Sequence, residues 1–599
     1  MEKHSFSLSE KLSVSLSSIL ESRKQQQQPI AAARSTGFLS DTQTPTLPQD
    51  LVAVSIKVNN NSSFEQSKPD LSEEENLELI GGEYYSGKLS VSTLQELVEN
   101  EYIEKIETKK TYTPKLDTAS NEIGLIASGT RAVPQTGNNV YIGIVDSGFD
   151  LTHPMFRDGA GNLRVVALLD QTVFGNPEYD TATLESQWVA GGAKPGKDTD
   201  GHGTHVATIA GGSKFGKYEG IAPNAKFLLV KTDFSNVDLA VSWIYTKAGS
   251  NPCVANLSLG GHFGSHDGTS NAERLYDALV GQGKILVVSA GNERNDSLHL
   301  NGLFVPNQME EVIFDIFPSN SPNNPPVAPA TFWYPNTDDY NIELITPSGQ
   351  ALPVPTLGNT DSYSGGNVQI ELSRRSYIQN NLIQIQVFIS FNTFSLPPNA
   401  LEDWRFRISC ISATVGRFDG WFANSGFARF KPHPLVKAEG TVGIPATAEG
   451  CIAVASHVSK NTWDSDAGMQ QDGRAFVGRS SNFSSLGPTR DGRWKPEISA
   501  PGQYITAGLA DGSSLSNVSV RAKRSDRLLS IEGTSMSAPV VTGAIALMLE
   551  KDPTLTPNQI KAIFQETAKK DVHTQDTLWT PIYGYGKLDI IAALAKVEN

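Results

Sequence analysis

From Val140 to Val145 the chain is apolar at almost every position, and it then stops at Asp146, Ser147 and Gly148. A strand without a polar face needs cover on both sides, which parallel sheets in α/β proteins supply and half-solvated antiparallel sheets do not. Similar segments return at Phe227–Val230, Val254–Leu259 and Ile285–Ser289, each ending in turn chemistry, with helical segments between them. Gly450–Ser456 resumes the pattern after a long interruption, and helices are expected around Gln559–Thr567 and Ile590–Val597. This alternation predicts an α/β fold, a parallel sheet flanked by helices. Ligands of such sheets sit beyond the carboxyl ends of the strands. The polar residues at those ends are therefore the candidates for chemistry.

Two stretches break the pattern. Between about Glu293 and Glu439, Val312, Phe314 and Ile316 alternate, as do Ile383, Ile385 and Val387, and Pro and Asn clusters separate short strands such as Phe406–Ile411. This reads as an all-β insertion. Nearer the start, Leu51–Val58 alternates as a strand, Val91, Leu94, Leu97 and Val98 mark one face of a helix, and alternation resumes over Tyr102–Ile106. The expected division is a flexible polar leader over 1–44, an α+β module over 45–118, an α/β body over 119–292 and 440–599, and a β-rich insertion over 293–439.

Charge and cysteine usage exclude some classes. A net charge of −15 would be repelled by nucleic acid and by anionic membranes, so neither is expected as a partner. Cys253, Cys410 and Cys451 are the three cysteines, too scattered for a disulfide framework or a zinc ribbon. The first residues alternate serine with leucine and lack the apolar run of a secretory signal, and no run approaches a membrane span. The expectation is a soluble, cytoplasmic protein, with leaderless export left open.

Four strand or helix ends carry reactive residue types. Asp146 closes YIGIVDSG, where an aspartate can also cap its own turn. His202 opens the small-residue stretch HGTHVATIAGG. His202 and His205 stand three apart, but the zincin spacing of four and its glutamate are missing, so metal binding is not indicated. Asn292 follows Gly291 in VVSAGNE, as a turn residue or as an amide donor to a developing oxyanion. Ser535, in GTSMSAPVV, precedes an apolar run with proline expected in the first helical turn. Its hydroxyl can cap that helix or react at its positive end.

Taken together, VDSG, GHGTHVA, SLGG, AGN and GTSMSAP, in this order, resemble the motif set of the subtilisin-like serine peptidases. FSSLGPTRDGRWKPEISAPG (483–502) and GYGKLD (584–589) resemble further stretches of that family. The resemblance implies a serine endopeptidase with Asp146 orienting the base, His202 as general base and acid, and Ser535 as nucleophile. It implies Asn292 and the Ser535 N–H as oxyanion donors, and Ser258, Leu259, Gly260 and Gly291 as substrate-binding residues. Protein or peptide substrates follow. The N-terminal module resembles an inhibitory propeptide, with a junction expected near Leu116–Asn121. No cofactor is needed for this chemistry. Calcium sites are frequent in the family, but their scattered oxygen ligands are not readable in one sequence. An α/β-hydrolase would need glycine two residues after the serine, where this chain has Ser537.

Overall fold

The computed structural model describes residues 52–597 apart from 73–74, 109–112, 115–121, 128–129, 190, 217, 319–324, 394–395 and 397–399. The expected polar leader, 1–44, and the expected junction near Leu116–Asn121 lie outside the described residues, except that Asn121 is followed at once by the described Glu122. The chain divides into two compact units, one taking in residues up to 110 together with 300–436, the other 111–299 together with 437–599.

The larger unit is built on an eight-stranded sheet. In spatial order the strands are Glu178–Asp180, Val165–Asp170, Lys226–Lys231, Tyr141–Asp146, Cys253–Leu257, Lys284–Ser289, Ile452–His457 and Ile498–Pro501. Every pairing is parallel except that of the short edge strand Glu178–Asp180. The apolar runs are continuous because both faces are covered. Ile142, Ile144, Phe227, Leu229, Ile285 and Val287 pack with the helices His202–Gly211 and Thr534–Lys551. Their neighbours Val145, Leu228, Val230, Leu286 and Val288 pack on the opposite face with the helix Val237–Ala248. Successive side chains of a strand point to opposite faces, so one run of apolar residues supplies two cores.

Within the other unit, residues 52–108 fold as strand, helix, hairpin, helix, strand. Their four-stranded antiparallel sheet has the order Asn76–Gly81, Tyr84–Leu89, Val52–Val58, Ile103–Thr108. This is the β-α-β-β-α-β arrangement of a split βαβ module. The helix Val91–Glu99 begins at Ser90, whose hydroxyl accepts the Thr93 N–H, and it buries Leu94, Leu97 and Val98. The helix Asn61–Ser67 and the hairpin 76–89 are not visible in the sequence pattern, because Phe64 is the only buried residue of that helix and it forms no stripe.

The β-rich stretch forms a seven-stranded sheet and a five-stranded antiparallel sheet. The strand Val327–Pro335 lies between Leu382–Phe391 and Arg417–Phe422 in the first, and Trp404–Ser412 lies between Asp339–Ile345 and Met309–Ile316 in the second. Their facing side chains make an aromatic core: Phe406 lies 4.7 Å from Phe314 and 4.6 Å from Phe332, ring centroid to centroid. Two sheets that each present one apolar face are the reason the strands alternate.

Candidate active site

Each reactive side chain projects from an end of the parallel sheet or from the first turn of a helix packed against it. Asp146 is the last residue of the central strand Tyr141–Asp146, and His202 is the first of the helix His202–Gly211. The two meet directly, Asp146 Oδ1 to His202 Nδ1 at 2.5 Å, and both are buried. A carboxylate oxygen accepts, so this contact places the proton on Nδ1 and makes Nε2 the unprotonated ring nitrogen. Close approach is permitted by Gly203, where a Cβ would stand 2.3 Å from the Gly148 carbonyl oxygen and 2.9 Å from Asp146 Cβ.

A residue that the motifs did not assign holds this pair. Asp198 is buried and accepts from Gly201 N–H at 2.8 Å, Thr204 N–H at 3.0 Å and Thr204 Oγ1 at 2.7 Å. It therefore caps the helix that opens on His202, whose N-cap residue Gly201 has no side chain to do so. Ser147 Oγ donates to Asp198 Oδ1 at 3.0 Å and accepts the Gly203 N–H at 3.1 Å, while the Ser147 N–H donates to Asp146 Oδ1 at 2.7 Å. Burial, assisted by Asp146, raises the Asp198 carboxyl above its ordinary range against the pull of its hydrogen bonds. A spacing of four before His202 in DTDGH was the available signal.

Ser535 is the second residue of the helix Thr534–Lys551, and its N-cap is Gly533. The capping role left open by the sequence is therefore not the one Ser535 fills. Pro539 falls one turn later than expected, at the sixth helical position rather than in the first turn. That displacement has a consequence, because a proline lacks the N–H that would bond the carbonyl four residues back. That carbonyl is Ser535 O, and Ser258 Oγ donates to it at 2.6 Å instead. In return Ser535 Oγ donates to Ser258 O at 3.1 Å. Asn256 Nδ2 donates to Ser258 Oγ at 2.9 Å, and Thr542 Oγ1 donates to Asn256 Oδ1 at 2.9 Å, so a buried polar chain fixes strand to helix.

Asn292 is half-buried, and its Oδ1 accepts from Thr534 N–H and from Thr534 Oγ1, each at 2.9 Å. A backbone N–H can only donate, which identifies the facing atom as oxygen and turns the Nδ2 donor the other way. Thr534 Oγ1 also accepts the Gly291 N–H at 3.1 Å. Leu259 and Gly260 form a two-stranded antiparallel ladder with Pro114 and Thr113. The sequence did not show Thr534 as a link in this set, because threonine ahead of an apolar helix ordinarily reads as a cap.

His205 is not brought to His202 as a second ligand. Its Nε2 bonds the Leu529 carbonyl at 2.9 Å, and burial lowers its pKa to about 3. No group of three or more His, Cys, Asp or Glu suited to a metal ion occurs among the described residues. No helix among them is long and apolar enough to cross a membrane. The three cysteines are buried and unpaired with one another.

A sequence profile of the subtilase family matches residues 137–368 and 424–586, more than half of the chain. Serine protease AprX of Bacillus subtilis is 30% identical over 130 residues, covering 22% of this chain and 27% of that protein. Subtilisin E of Bacillus subtilis is 31% identical over 163 residues, covering 26% of this chain and 35% of that protein. The chain thus spans about a quarter to a third of the length of these relatives. Among solved structures, the CspB protease of Clostridium perfringens shares the fold, with a TM-score of 0.65 over 80% of this chain and 98% of that one at 24% identity.

Proposed function

The chain belongs to the subtilase family, and on that premise we propose that it is a serine endopeptidase acting on proteins or peptides. In this reading Asp146, His202 and Ser535 are the reacting triad. The observation that carries it is the buried 2.5 Å contact between Asp146 and His202 Nδ1, which leaves Nε2 as the base. The Ser535 proton passes to Nε2 as Oγ adds to the substrate carbonyl carbon. Negative charge then develops on the carbonyl oxygen. Asn292 Nδ2 and the Ser535 N–H, one of the unpaired donors of a helix first turn, stabilise it. Thr534 contributes by holding Oδ1, so the amide need not reorient as charge appears. The imidazolium next protonates the leaving amine, the peptide C–N bond breaks, and water activated by Nε2 releases the acyl group from Ser535.

The substrate backbone would add to the edge Ser258–Gly260 as an antiparallel strand. Thr113 and Pro114 already pair with that edge, which supports reading the N-terminal module as an intramolecular inhibitor. A tethered segment competes at high effective concentration, so even a weak contact holds the precursor silent. The test is labelling of the purified protein with a fluorophosphonate probe followed by mass mapping. Ser535 should be the modified residue, and casein should be cleaved once the N-terminal segment is removed. Absence of both labelling and cleavage would leave the chain a binding scaffold on a peptidase fold.

A further inference from the structure

After the strand Ile452–His457 the chain leaves the parallel sheet, and residues 459–479 make a surface excursion around the hairpin of Thr462–Ser465 with Gly468–Gln471. The base of this excursion is packed. Trp463 stacks on Tyr504 with ring centroids 4.0 Å apart, Val458 and Ala475 join them, and Tyr504 Oη donates to Asp472 Oδ2 at 2.7 Å. The next two residues, Phe476 and Val477, are instead 58% and 55% exposed. Their turn is pinned: the Gly478 N–H donates to Val458 O at 2.9 Å, the Val458 N–H to Arg479 O at 2.8 Å, and the Arg479 N–H to Phe476 O at 3.0 Å. A turn with satisfied backbone that holds two adjacent large apolar side chains in water marks an interaction surface rather than a frayed loop.

Two guanidinium groups accompany this tip. Arg479 lies over the Phe476 ring, 5.2 Å from its centroid, and Arg294 stands two residues past Asn292. Tyr583 senses both: burial raises its phenol above the ordinary range, while the Ser480 N–H, Arg294 and Arg479 oppose that rise. Other cations of the excursion and of the loop packed on it are paired, Arg474 with Asp472, Lys523 with Asp464 and Arg524 with Asp466. Arg294 and Arg479 have no carboxylate partner among the described residues, and Asp571, which also acts on Tyr583, is held by Lys587 Nζ at 2.6 Å. The tip is joined to the reactive centre by the chain that follows it. Phe483 O accepts the Arg294 N–H at 3.2 Å, Asn482 O accepts Asn295 Nδ2 at 2.8 Å, and the Ser485 N–H donates to Gly291 O at 2.9 Å. At about 3.3 Å per extended residue, Phe476 is therefore within roughly 25 Å of the segment that carries Asn292.

We propose that Phe476, Val477, Arg479 and Arg294 form an exosite for the leaving half of a polypeptide substrate, one that takes apolar residues followed by carboxylates about four to seven residues beyond the cut bond. The proposal rests on the endopeptidase reading. In the antiparallel ladder at Leu259 and Gly260 the paired segment runs from Gly260 towards Ser258, and Ser535 Oγ lies 3.1 Å from Ser258 O. A substrate in that register places its acyl half on this edge, and its leaving half continues past Ser535, off the edge. Contact with Phe476 and Val477 removes apolar area from water without fixing direction. The two guanidinium groups then select the sign of charge, against the net −15 of the whole chain. Because these contacts are remote from the reacting carbonyl, they are made equally in the bound substrate and in the transition state, and they act on KM.

The test uses the full chain, its active sites counted with a fluorophosphonate probe, and quenched fluorescent peptides that share the acyl half Ala-Ala-Ala-Leu. Their leaving halves are Ala-Ala, Ala-Ala-Gly-Leu-Leu-Asp-Asp and Ala-Ala-Gly-Leu-Leu-Lys-Lys, with the cut bond located by mass spectrometry. The long acidic peptide should exceed the short one by about 10-fold in kcat/KM, mostly through KM. The Lys-Lys peptide should fall about 5-fold below it, a gap that closes in about 1 M salt. Phe476→Ser with Val477→Ser should remove most of the 10-fold gain and leave the short peptide unchanged, and Arg479→Glu should bring the Lys-Lys peptide level with or above the Asp-Asp one. A protein that labels but gains nothing from the longer leaving half, or keeps its gain in the double variant, overturns the exosite and leaves the endopeptidase standing. Loss of self-association in that variant, with the gain retained, makes the tip an interface between copies and overturns the exosite as well. A protein that neither labels nor cleaves overturns both readings.

Discussion

The parallel sheet of the larger unit and the two packed sheets of residues 300–436 use the same apolar residue types to opposite ends. In the first, Val145 and Ile144 face different cores, and the strand stops at Asp146 in the protein interior. Its carboxyl ends and the adjoining helix N-termini therefore collect polar groups that the fold must satisfy, through Asp198 and the Thr534–Asn292 pair here. In the second, Phe314, Phe332 and Phe406 fill one core between two sheets, and polar residues take the other face. A sheet covered on both faces concentrates chemistry at strand ends; a sandwich spreads its polar groups along the outside.

Removing the proposed nucleophile sharpens this contrast most. Ser535→Ala should lower kcat/KM by roughly 10⁶-fold, the scale known for the serine of subtilisin, itself a relative of this chain. Calorimetry of the same variant should show both units folded, since only a hydrogen bond to Ser258 O is lost. In the sandwich the ranking reverses. Phe406→Ala should cost about 3–5 kcal/mol of stability by opening a cavity beside Phe314 and Phe332, while probe labelling of Ser535 persists. If labelling is lost with it, the two regions are not separable in the way their cores imply.

Asn292→Ala should lower kcat by roughly 10²–10³-fold with KM little changed, because in the proposed mechanism the lost donor acts on the transition state; that range also comes from subtilisin. A proportional rise in KM would instead make Asn292 a ground-state contact. The smallest effect is in acid. Burial lowers His205 to about 3 and His153 to about 4 from an ordinary 6.5. Each is bound neutral in the fold, so its stabilising contribution is complete above pH 6.5 and is lost as pH falls toward those values. His205→Gln should reduce the acid slope of the unfolding free energy by about 1.4 kcal/mol per pH unit between pH 6 and 4. Denaturant melts at those two pH values measure it, and an unchanged slope would mean that His205 is not the titrating group.

Much of the architecture was legible because continuous apolar runs and strict alternation are properties of consecutive residues. The strands at 141–146, 226–231 and 284–289 and the helix at 557–567 fall where the pattern puts them. Ile498–Pro501 did not announce itself, being four residues long and closed by proline. Nor did Val165–Asp170, which lies beside the short edge strand. Thr534 was quoted within a motif but had no role until Asn292 and Gly291, 242 and 243 residues away, were seen to bond it, whereas Asp198, three residues before GHGTHVA, takes its role from Gly201 and Thr204 close by together with Ser147, 51 residues away.

The sequence alone determined the α/β class, the interruption by β-rich residues and the presence of an Asp, His, Ser and Asn set at element ends. Those follow from residue type and local spacing. Only the tertiary structure decided that Gly533 rather than Ser535 caps the reactive helix, that Ser258 supplies the hydrogen bond Pro539 cannot, and that Asn292 is held oxygen-first by Thr534. The physical reason is that hydrogen bonds are set by distance and direction. Ser258 and Ser535 lie 277 residues apart in the chain and touch only because two helices and a parallel sheet bring strand end and helix start together.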